Sequence, residues 1–202
     1  MIASLCLLSG IVGARNAQAA RMENGFGFGP TFYSGSPVTY LTPMIGSQFA
    51  FFSSVLWNRY LNWSNRFDLG FLVMGSRIAK TTLMYNGITG QYMPSIRVNF
   101  AKKGVVPYVE GGGALGIFAL YCLGTDSDTA RSQTALKYGY SIGTGFDSVG
   151  DRGRGSEGGW GISVLYFNFL PSADSFEFAA GAVSAMGVKL DIKFLFSSGS
   201  KR

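Results

Sequence analysis

The side chains that most often carry catalysis are scarce in this chain. It contains no histidine and two cysteines among its 202 residues. Without an imidazole, the usual Ser–His general-base chemistry is unavailable. Lys137 and Ser141 would share one face of a strand over 135–147. We interpret this pair as structural lining, and a Ser–Lys pair or a carboxylate pair stays open as an enzymatic alternative.

Residues 1–20 have the features of an export signal. The apolar run LCLLSGIVGA is followed by Ala17-Gln18-Ala19, a small-x-small cleavage pattern. We therefore predict a signal peptide over 1–20, rather than a buried terminal strand or helix, and a single domain over 21–202. Arg15 is the only charged residue that cleavage removes, so the net charge falls from +6 to +5.

Cofactor, metal and nucleic-acid sites are not expected. Cleavage leaves Cys122 alone, which excludes an intramolecular disulfide and zinc sites built from several cysteines. Gly143-Thr144-Gly145 lacks the third glycine of a dinucleotide-binding turn. The basic residues are scattered over turns and the terminus and form no basic stripe, so nucleic acid is not a predicted partner.

The stretch ALKYGYSIGTGFD (135–147) alternates with period two, which is typical of a β-strand. One face carries Leu, Tyr, Tyr, Ile, Thr and Phe, and the other carries Lys, Gly, Ser, Gly, Gly and Asp. Charged residues make up 14% of the chain, against about 25% in typical soluble domains. This combination does not suit a sheet with one face in water.

The same alternation recurs along the chain and predicts eight strands. They cover 24–33, 46–58, 66–76, 91–100, 106–122, 135–147, 159–169 and 176–196. The best helical candidate, 105–123, contains Pro107 and Glu110 and does not suit a transmembrane helix. Compact turns at 101–105 and 150–158 alternate with longer connections, which we expect to face outward near 34–45, 76–90, 123–134 and 170–176.

Strands can cross a bilayer only as a closed sheet, because every backbone donor and acceptor must be paired within the protein. Transmembrane strands need about 9–11 residues with apolar residues facing out. The sequence therefore predicts an all-β fold, namely an eight-stranded antiparallel up-and-down transmembrane β-barrel. Its apolar face contacts lipid, and its small and polar face lines an interior with room for little more than side chains.

Two segments of this predicted barrel resemble a known family, the small eight-stranded outer-membrane barrels of Gram-negative bacteria of the OmpA, OmpX and opacity-protein type. VVPYVEGGGALG (105–116) is similar to the start of the family's fifth strand. The last strand is similar to the signal read by the β-barrel assembly machinery. The residues that carry this likeness are Gly187, Leu190, Ile192, Phe194 and Phe196.

The resemblance implies an integral protein of the bacterial outer membrane. Its partners would be outer-membrane lipid, lipopolysaccharide, the assembly machinery and an extracellular ligand that the sequence does not identify. It would be a monomer without enzymatic activity that supports envelope integrity and surface interaction through its loops. The lipid A-modifying relatives use a histidine, which this chain lacks. A small-solute channel and a barrel that holds a lipid tail or small apolar molecule are the alternatives.

Seven inward charges are predicted to meet inside the barrel. They are Asp68, Arg97, Glu110, Asp147, Lys189, Asp191 and Lys193. Charges enclosed in a narrow interior are costly unless paired, so we expect an ion-pair plug in the periplasmic half. The alternative is that several of these charges lie outside the membrane, in turns that are exposed to water. The outer half should be lined by small residues, namely Gly112, Ala114, Gly116, Gly139, Ser141, Gly143, Ala179 and Gly181.

Overall fold

The structure is a computed structural model of the chain. It describes residues 22–36, 44–57, 60–78, 81–101, 104–123, 131–149, 158–170 and 184–198. The predicted signal peptide over 1–20 lies outside these ranges. The division of the chain into a signal and a single domain over 21–202 therefore stays a prediction.

Eight strands form one closed sheet in chain order. They are β1 (Met22–Ser36), β2 (Met44–Leu56), β3 (Leu61–Ile78), β4 (Thr81–Asn99), β5 (Gly104–Leu123), β6 (Arg131–Val149), β7 (Gly158–Phe169) and β8 (Ser184–Ser198). All neighbouring pairs are antiparallel, and β1 pairs with β8 to close the barrel. Across the described ranges, no helix is long and apolar enough to span a bilayer. The predicted up-and-down barrel is confirmed.

The two faces of the strands point as their alternation predicts. In β6, Leu136, Tyr138 and Ile142 are 54 to 59% exposed on the outer surface. Lys137 and Asp147, from the opposite face of the same strand, are almost completely buried inside the barrel. Large apolar side chains on an outer surface are unfavourable in water and favourable in hydrocarbon. The alternation therefore places the apolar face against lipid.

The strands are inclined to the barrel axis, as the register shows. A path through directly opposed residues runs Glu23, Ser54, Ser64, Ser95, Gly112, Ser141, Phe167, Gly187 and Tyr33. It returns to β1 ten residues beyond its start. For eight strands with ordinary spacings, this stagger gives a tilt of about 41°. With eight strands, the interior is still only wide enough for side chains to fill it.

β3 and β4 are longer than the sequence predicts. The predicted extent of the loop over 76–90 is wrong, because β3 continues to Ile78 and β4 begins at Thr81. The outward orientation of this connection stays a prediction. Asn86-Gly87 has the residues of a tight hairpin turn, yet it lies within a strand. Asn86 pairs with Val73 on one side and with Tyr121 on the other, so its strand is held by both neighbours.

The remaining strand ends agree more closely with expectation. β6 begins at Arg131, inside the connection predicted at 123–134, and β8 begins at Ser184. The first part of the predicted last strand, 176–183, lies outside the described residues. The compact turn predicted at 101–105 ends at Gly104, whose φ of 74° is a left-handed conformation that favours glycine.

Candidate functional site

The candidate site is the barrel interior, where the charged side chains collect. Ten charged residues have a described environment, and all ten belong to the inward-facing set. Five are acidic and five are basic: Glu23, Asp68, Glu110, Asp147, Asp191, Arg66, Arg97, Lys137, Lys189 and Lys193. A balanced interior is what a low-dielectric space requires, because an unpaired buried charge is strongly destabilising.

Four of these residues form a central cluster. Arg66 bridges two carboxylates, with its Nε 2.8 Å from Asp68 Oδ1 and its Nη1 2.7 Å from Asp191 Oδ2. Lys189 pairs with Asp68 from the opposite side of the interior. All four side chains are 4% exposed or less. The central cluster is therefore a set of alternating opposite charges that is shielded from water.

Neutral side chains complete the hydrogen bonds of the central cluster. Gln48 Nε2 donates to Asp191 Oδ1 at 2.9 Å, and Ser163 Oγ donates to Asp191 Oδ2 at 3.1 Å. Lys189 Nζ donates to Gln91 Oε1 at 2.7 Å. Buried ion pairs are stable only when their remaining donors and acceptors are also satisfied. These partners meet that condition, and none of the three was among the predicted site residues.

A terminal cluster lies nearer the end of the barrel at which Met22 and Ser198 pair. Asp147 Oδ2 accepts a hydrogen bond from Arg97 Nη2, and Lys193 Nζ lies 2.6 Å from Asp147 Oδ1. Lys193 Nζ also donates to the hydroxyl of Tyr108 at 2.6 Å. One carboxylate is thus shared by two cations, and an inward tyrosine fixes the position of the lysine.

Tyr108 also provides its ring to the terminal cluster. The guanidinium carbon of Arg97 lies 3.6 Å from the ring centroid, and Lys193 Nζ lies 4.4 Å from it. A cation over an aromatic face is stabilised by about 2 kcal/mol when desolvated. Tyr108 therefore compensates part of the second positive charge that Asp147 cannot neutralise.

Glu110 and Glu23 lie beside a small cavity next to the terminal cluster. The cavity has a volume of about 10 Å³ and also borders Ser54 and Ser64. This is about the space for one water molecule. Ser95 Oγ donates to Glu110 Oε2 at a long 3.4 Å. Glu110 is therefore held less tightly than the carboxylates of the two clusters.

An aromatic layer lies on the other side of the central cluster. It consists of the buried rings of Tyr33, Phe118, Phe167 and Phe169. Tyr33 contacts Phe167 and Phe118 with ring centroids 5.5 and 6.4 Å apart, and Phe169 contacts Phe118 at 5.3 Å. Three strands from different parts of the barrel wall meet in this way. The rings fill the interior at this level.

The aromatic layer corrects the predicted lining of the outer half. Small residues such as Gly116 are present there, but they make room for rings rather than leave open space. A Cβ added to Gly116 would lie 2.8 Å from Phe169 and 2.9 Å from Phe118. The predicted lining was based on small residues such as those of β5 and β6, and it did not include the inward phenylalanines of β7. Ala179 and Gly181 lie outside the described residues.

All seven residues of the predicted plug face the interior, and they fall into distinct groups. Asp68, Lys189 and Asp191 belong to the central cluster, Arg97, Asp147 and Lys193 to the terminal cluster, and Glu110 to the cavity beside it. That these charges close the barrel to ions stays a prediction, because the ion pairs alone do not show whether ions pass through the barrel.

Arg66, which joins Asp68 to Asp191 in the central cluster, was not among the predicted site residues. The signal was present, because Arg66 has the same parity as Asp68 on β3 and opposes the inward Met93 across the sheet. The predicted strand began at residue 66, so Arg66 was its first residue and was not assigned to the interior. Glu23 was missed for a similar reason, since the first strand was predicted to begin at residue 24.

The Lys137 and Ser141 pair does not have the geometry of a nucleophile and its base. The residues are four positions apart on β6, which is about 13 Å between backbone positions. Even an extended lysine side chain leaves the two groups beyond the roughly 3 Å that proton transfer needs. Ser141 Oγ instead donates to the carbonyl of Gly113 at 3.5 Å. This geometry favours the structural interpretation of the pair.

The residues that resemble an assembly signal occupy one strand. Gly187 faces the interior, where an added Cβ would meet the ring of Phe167. The other four lie on the outer surface and are 38 to 50% exposed, namely Leu190, Ile192, Phe194 and Phe196. Recognition of these residues by the assembly machinery stays a prediction.

The outer surface and the charged interior together define the class of protein. Phe49, Phe71 and Ile142 are about 60% exposed, at 59, 61 and 59%. None of the ten charged residues whose side-chain environment is described lies on the outer surface. A closed barrel with this inverted distribution of polarity is stable in a bilayer. The chain is an integral transmembrane β-barrel protein.

No family model matches the chain, and no curated protein matches it either. Among solved structures, the chain is similar to the attachment invasion locus protein Ail of Yersinia pestis, in its complex with the heparin analogue sucrose octasulfate. The identity is 11% and the TM-score is 0.49, over 86% of this chain and 98% of that one. The outer membrane enzyme PagL has 11% identity and a TM-score of 0.48, over 84% of this chain and 97% of that one.

Neisserial surface protein A has 12% identity and a TM-score of 0.45, over 85% of this chain and 95% of that one. These three proteins include an enzyme and an attachment protein. At such low identity, these similarities assign neither an activity nor a ligand to this chain.

Proposed function

We propose that the protein is a closed, non-enzymatic barrel that contributes to the integrity of the outer membrane and presents its connections for surface interaction. The observation that carries this proposal is the filled interior. Two clusters of ion pairs and one aromatic layer follow each other along the barrel axis. A barrel with this content anchors and displays its connections without providing a path for solutes.

The filled interior argues against both alternatives that the sequence left open. A solute channel needs a continuous aqueous path, and the central cluster places Arg66 and Lys189 across it. A site for an apolar tail needs empty apolar volume, and the aromatic layer occupies that level with Phe118 and Phe169. An enzymatic role lacks the histidine on which acyl-transfer chemistry commonly depends.

The partners belong to the same proposal. The apolar surface would contact lipid and lipopolysaccharide, and β8 would be recognised by the β-barrel assembly machinery. Both chain ends would lie in the periplasm, because the connections after β2 and β4 are shorter than those after β1, β5 and β7, even though the connection after β3 is the shortest. The extracellular ligand is unidentified, and we propose a monomer.

Two measurements test the proposed function. The purified barrel in planar bilayers should show no single-channel conductance. A strain that lacks the gene should become more sensitive to detergent, and the parent gene should restore its resistance. Stable conductance steps from the parent protein would contradict the closed interior. Unchanged detergent sensitivity of the deletion strain would contradict the role in envelope integrity.

A further inference from the structure

Three polar side chains form a row on the lipid-facing surface. Asn24 of β1 opposes Ser53 of β2, and Ser53 opposes Asn65 of β3. All three belong to the outward set, and their strand neighbours Phe51 and Phe67 are more than half exposed. A polar group in the apolar belt of a membrane protein is unfavourable unless it has a partner. We therefore expect this row to bind a partner with polar groups.

The row lies at the edge of the membrane and then deepens. Asn24 is close to the start of β1 and opposes Phe196 of the last strand. Because the strands are tilted by about 41°, each step to the next strand moves the row about 3 Å along the barrel axis. Asn65 therefore lies about 6 Å deeper than Asn24. The interfacial region of each leaflet is about 5–7 Å thick, so a row that starts at its outer edge would extend from the phosphate level to the ester level.

The carboxamide of Asn65 has a fixed orientation. The indole nitrogen of Trp63 lies 3.2 Å from Asn65 Oδ1, and the hydroxyl of Tyr92 donates to the same oxygen at 2.8 Å. An indole N–H only donates, so the oxygen of the amide must be the atom on this side. The amide nitrogen, with its two N–H donors, is directed to the opposite side. Asn65 thus presents donors to its surroundings.

Aromatic rings bound this group of donors above and below. Tyr92 stacks on Phe67 with ring centroids 4.6 Å apart, on the side of the membrane centre. Trp63 stacks on Trp57 at 6.4 Å, on the side of the barrel end. The polar row is therefore a shallow notch between projecting rings. An extended lipid molecule enters such a notch more easily than the broad wall of a second barrel.

We infer that the notch formed by Asn24, Ser53 and Asn65 binds one phospholipid of the leaflet that adjoins the chain ends. The phosphate and ester oxygens of a phospholipid only accept hydrogen bonds, which matches the N–H groups of Asn65 and the hydroxyl of Ser53. The rings of Phe67 and Trp63 pack against the glycerol and the first part of the acyl chains.

Native mass spectrometry of the purified barrel with added phosphatidylethanolamine tests this inference. The parent protein should retain one phospholipid at low activation energy. Asn65→Leu and Ser53→Ala should each reduce the retained lipid, by about fivefold for Asn65→Leu, because a hydrogen bond to an ester oxygen is lost. Leucine at this position faces hydrocarbon and preserves the barrel, which circular dichroism of each variant would verify.

Asn168→Leu is the matched control. Asn168 is also on the outer surface, but its amide nitrogen donates to the hydroxyl of Tyr140 at 3.2 Å. This variant should retain phospholipid as the parent does. Equal retention by the parent and Asn65→Leu would overturn the inference, as would a parent that retains none. A dimer mass in the parent that disappears in Asn65→Leu would overturn it in favour of a second copy as the occupant.

Discussion

At the scale of single residues, the interior is organised around cations that are shared between carboxylates. Arg66 contacts both Asp68 and Asp191, and its removal would leave two buried acids with fewer partners. Glu110 has one long hydrogen bond from Ser95 beside a cavity. The two residues carry opposite charges in the same interior, but their contacts indicate different contributions to the stability of the barrel.

We expect Arg66→Ala to lower the free energy of unfolding by about 3–5 kcal/mol, because it breaks a buried ion pair and leaves its partners uncompensated. Glu110→Ala should lower it by roughly 1 kcal/mol, the value of a modest hydrogen bond. Urea unfolding in lipid vesicles measures both. Equal losses in the two variants would show that the central cluster has no special stability.

A second prediction concerns the close approach of Gly116 to the aromatic layer. Gly116→Val should destabilise the barrel by about 1–3 kcal/mol through overpacking against Phe118 and Phe169. Gly113→Val is the control, since the nearest atom to an added Cβ there is Pro94 Cγ at 3.9 Å.

A second change, in the ring of Phe169, tests whether Gly116 and this ring compete for the same space. Combining Gly116→Val with Phe169→Ala should cost less than the sum of the two single changes, because the valine occupies space that the ring vacates. The unfolding free energies of the four proteins form a double-mutant cycle. Strict additivity would mean that the glycine and the ring do not share this space.

At the scale of strands, each element has one face for lipid and one for the interior. In β6, the alternation of exposed and buried side chains extends from Thr134 to Asp147. Ile142 is 59% exposed within this span. The strand is therefore committed to a single orientation in the sheet, and its outer positions are sensitive to charge according to their depth.

We predict that Ile142→Arg lowers the stability of the barrel in bilayers by about 2–4 kcal/mol, the cost of a cation near the membrane centre. Val105→Arg is the comparison, because Val105 is 60% exposed but is the second residue of β5. A cation there reaches the interface, so the cost should be about 0–1 kcal/mol. If both variants folded equally well, the assigned depth of Ile142 would be incorrect.

The strands and their faces were predictable from sequence because a barrel in lipid imposes one strict rule, the alternation of polarity within the membrane. That rule fails outside the membrane, where both faces of a strand are wet. The segment 81–90 of β4 was therefore taken for a loop, since TTLMYNGITG has no apolar face and contains a turn dipeptide. Only its pairing with β3 and β5 makes it a strand.

Contacts across the interior were less predictable for a different reason. Parity identifies which side chains face inward, but the partners of Lys189 are set by tilt and register. Asp68 and Gln91, which contact it, belong to strands that are not its neighbours. No local pattern in the sequence specifies a contact across a cylinder. The aromatic layer, which joins β1, β5 and β7, was missed on the same grounds.

At the scale of the whole molecule, both described chain ends lie at one end of the barrel, where Met22 pairs with Ser198. Even-numbered strands therefore return the chain to this end. We predict that it faces the periplasm. A protease site inserted between residues 124 and 130 should be cleaved on intact cells, whereas one inserted at 58–59 should be cleaved only after permeabilisation. The reverse pattern would mean that the barrel has the opposite orientation.

The balanced interior charges have a consequence for how the barrel closes during folding. A shift of one residue between β1 and β8 would turn one strand inside out and move Lys189, Asp191 and Lys193 into hydrocarbon. A shift of two residues would keep the faces but separate Lys189 from Asp68 and Asp191 from Arg66, which lie on opposite sides of the seam. Both mispaired seams are thus penalised by electrostatics. The same charges that stabilise the finished barrel select one register for its final seam.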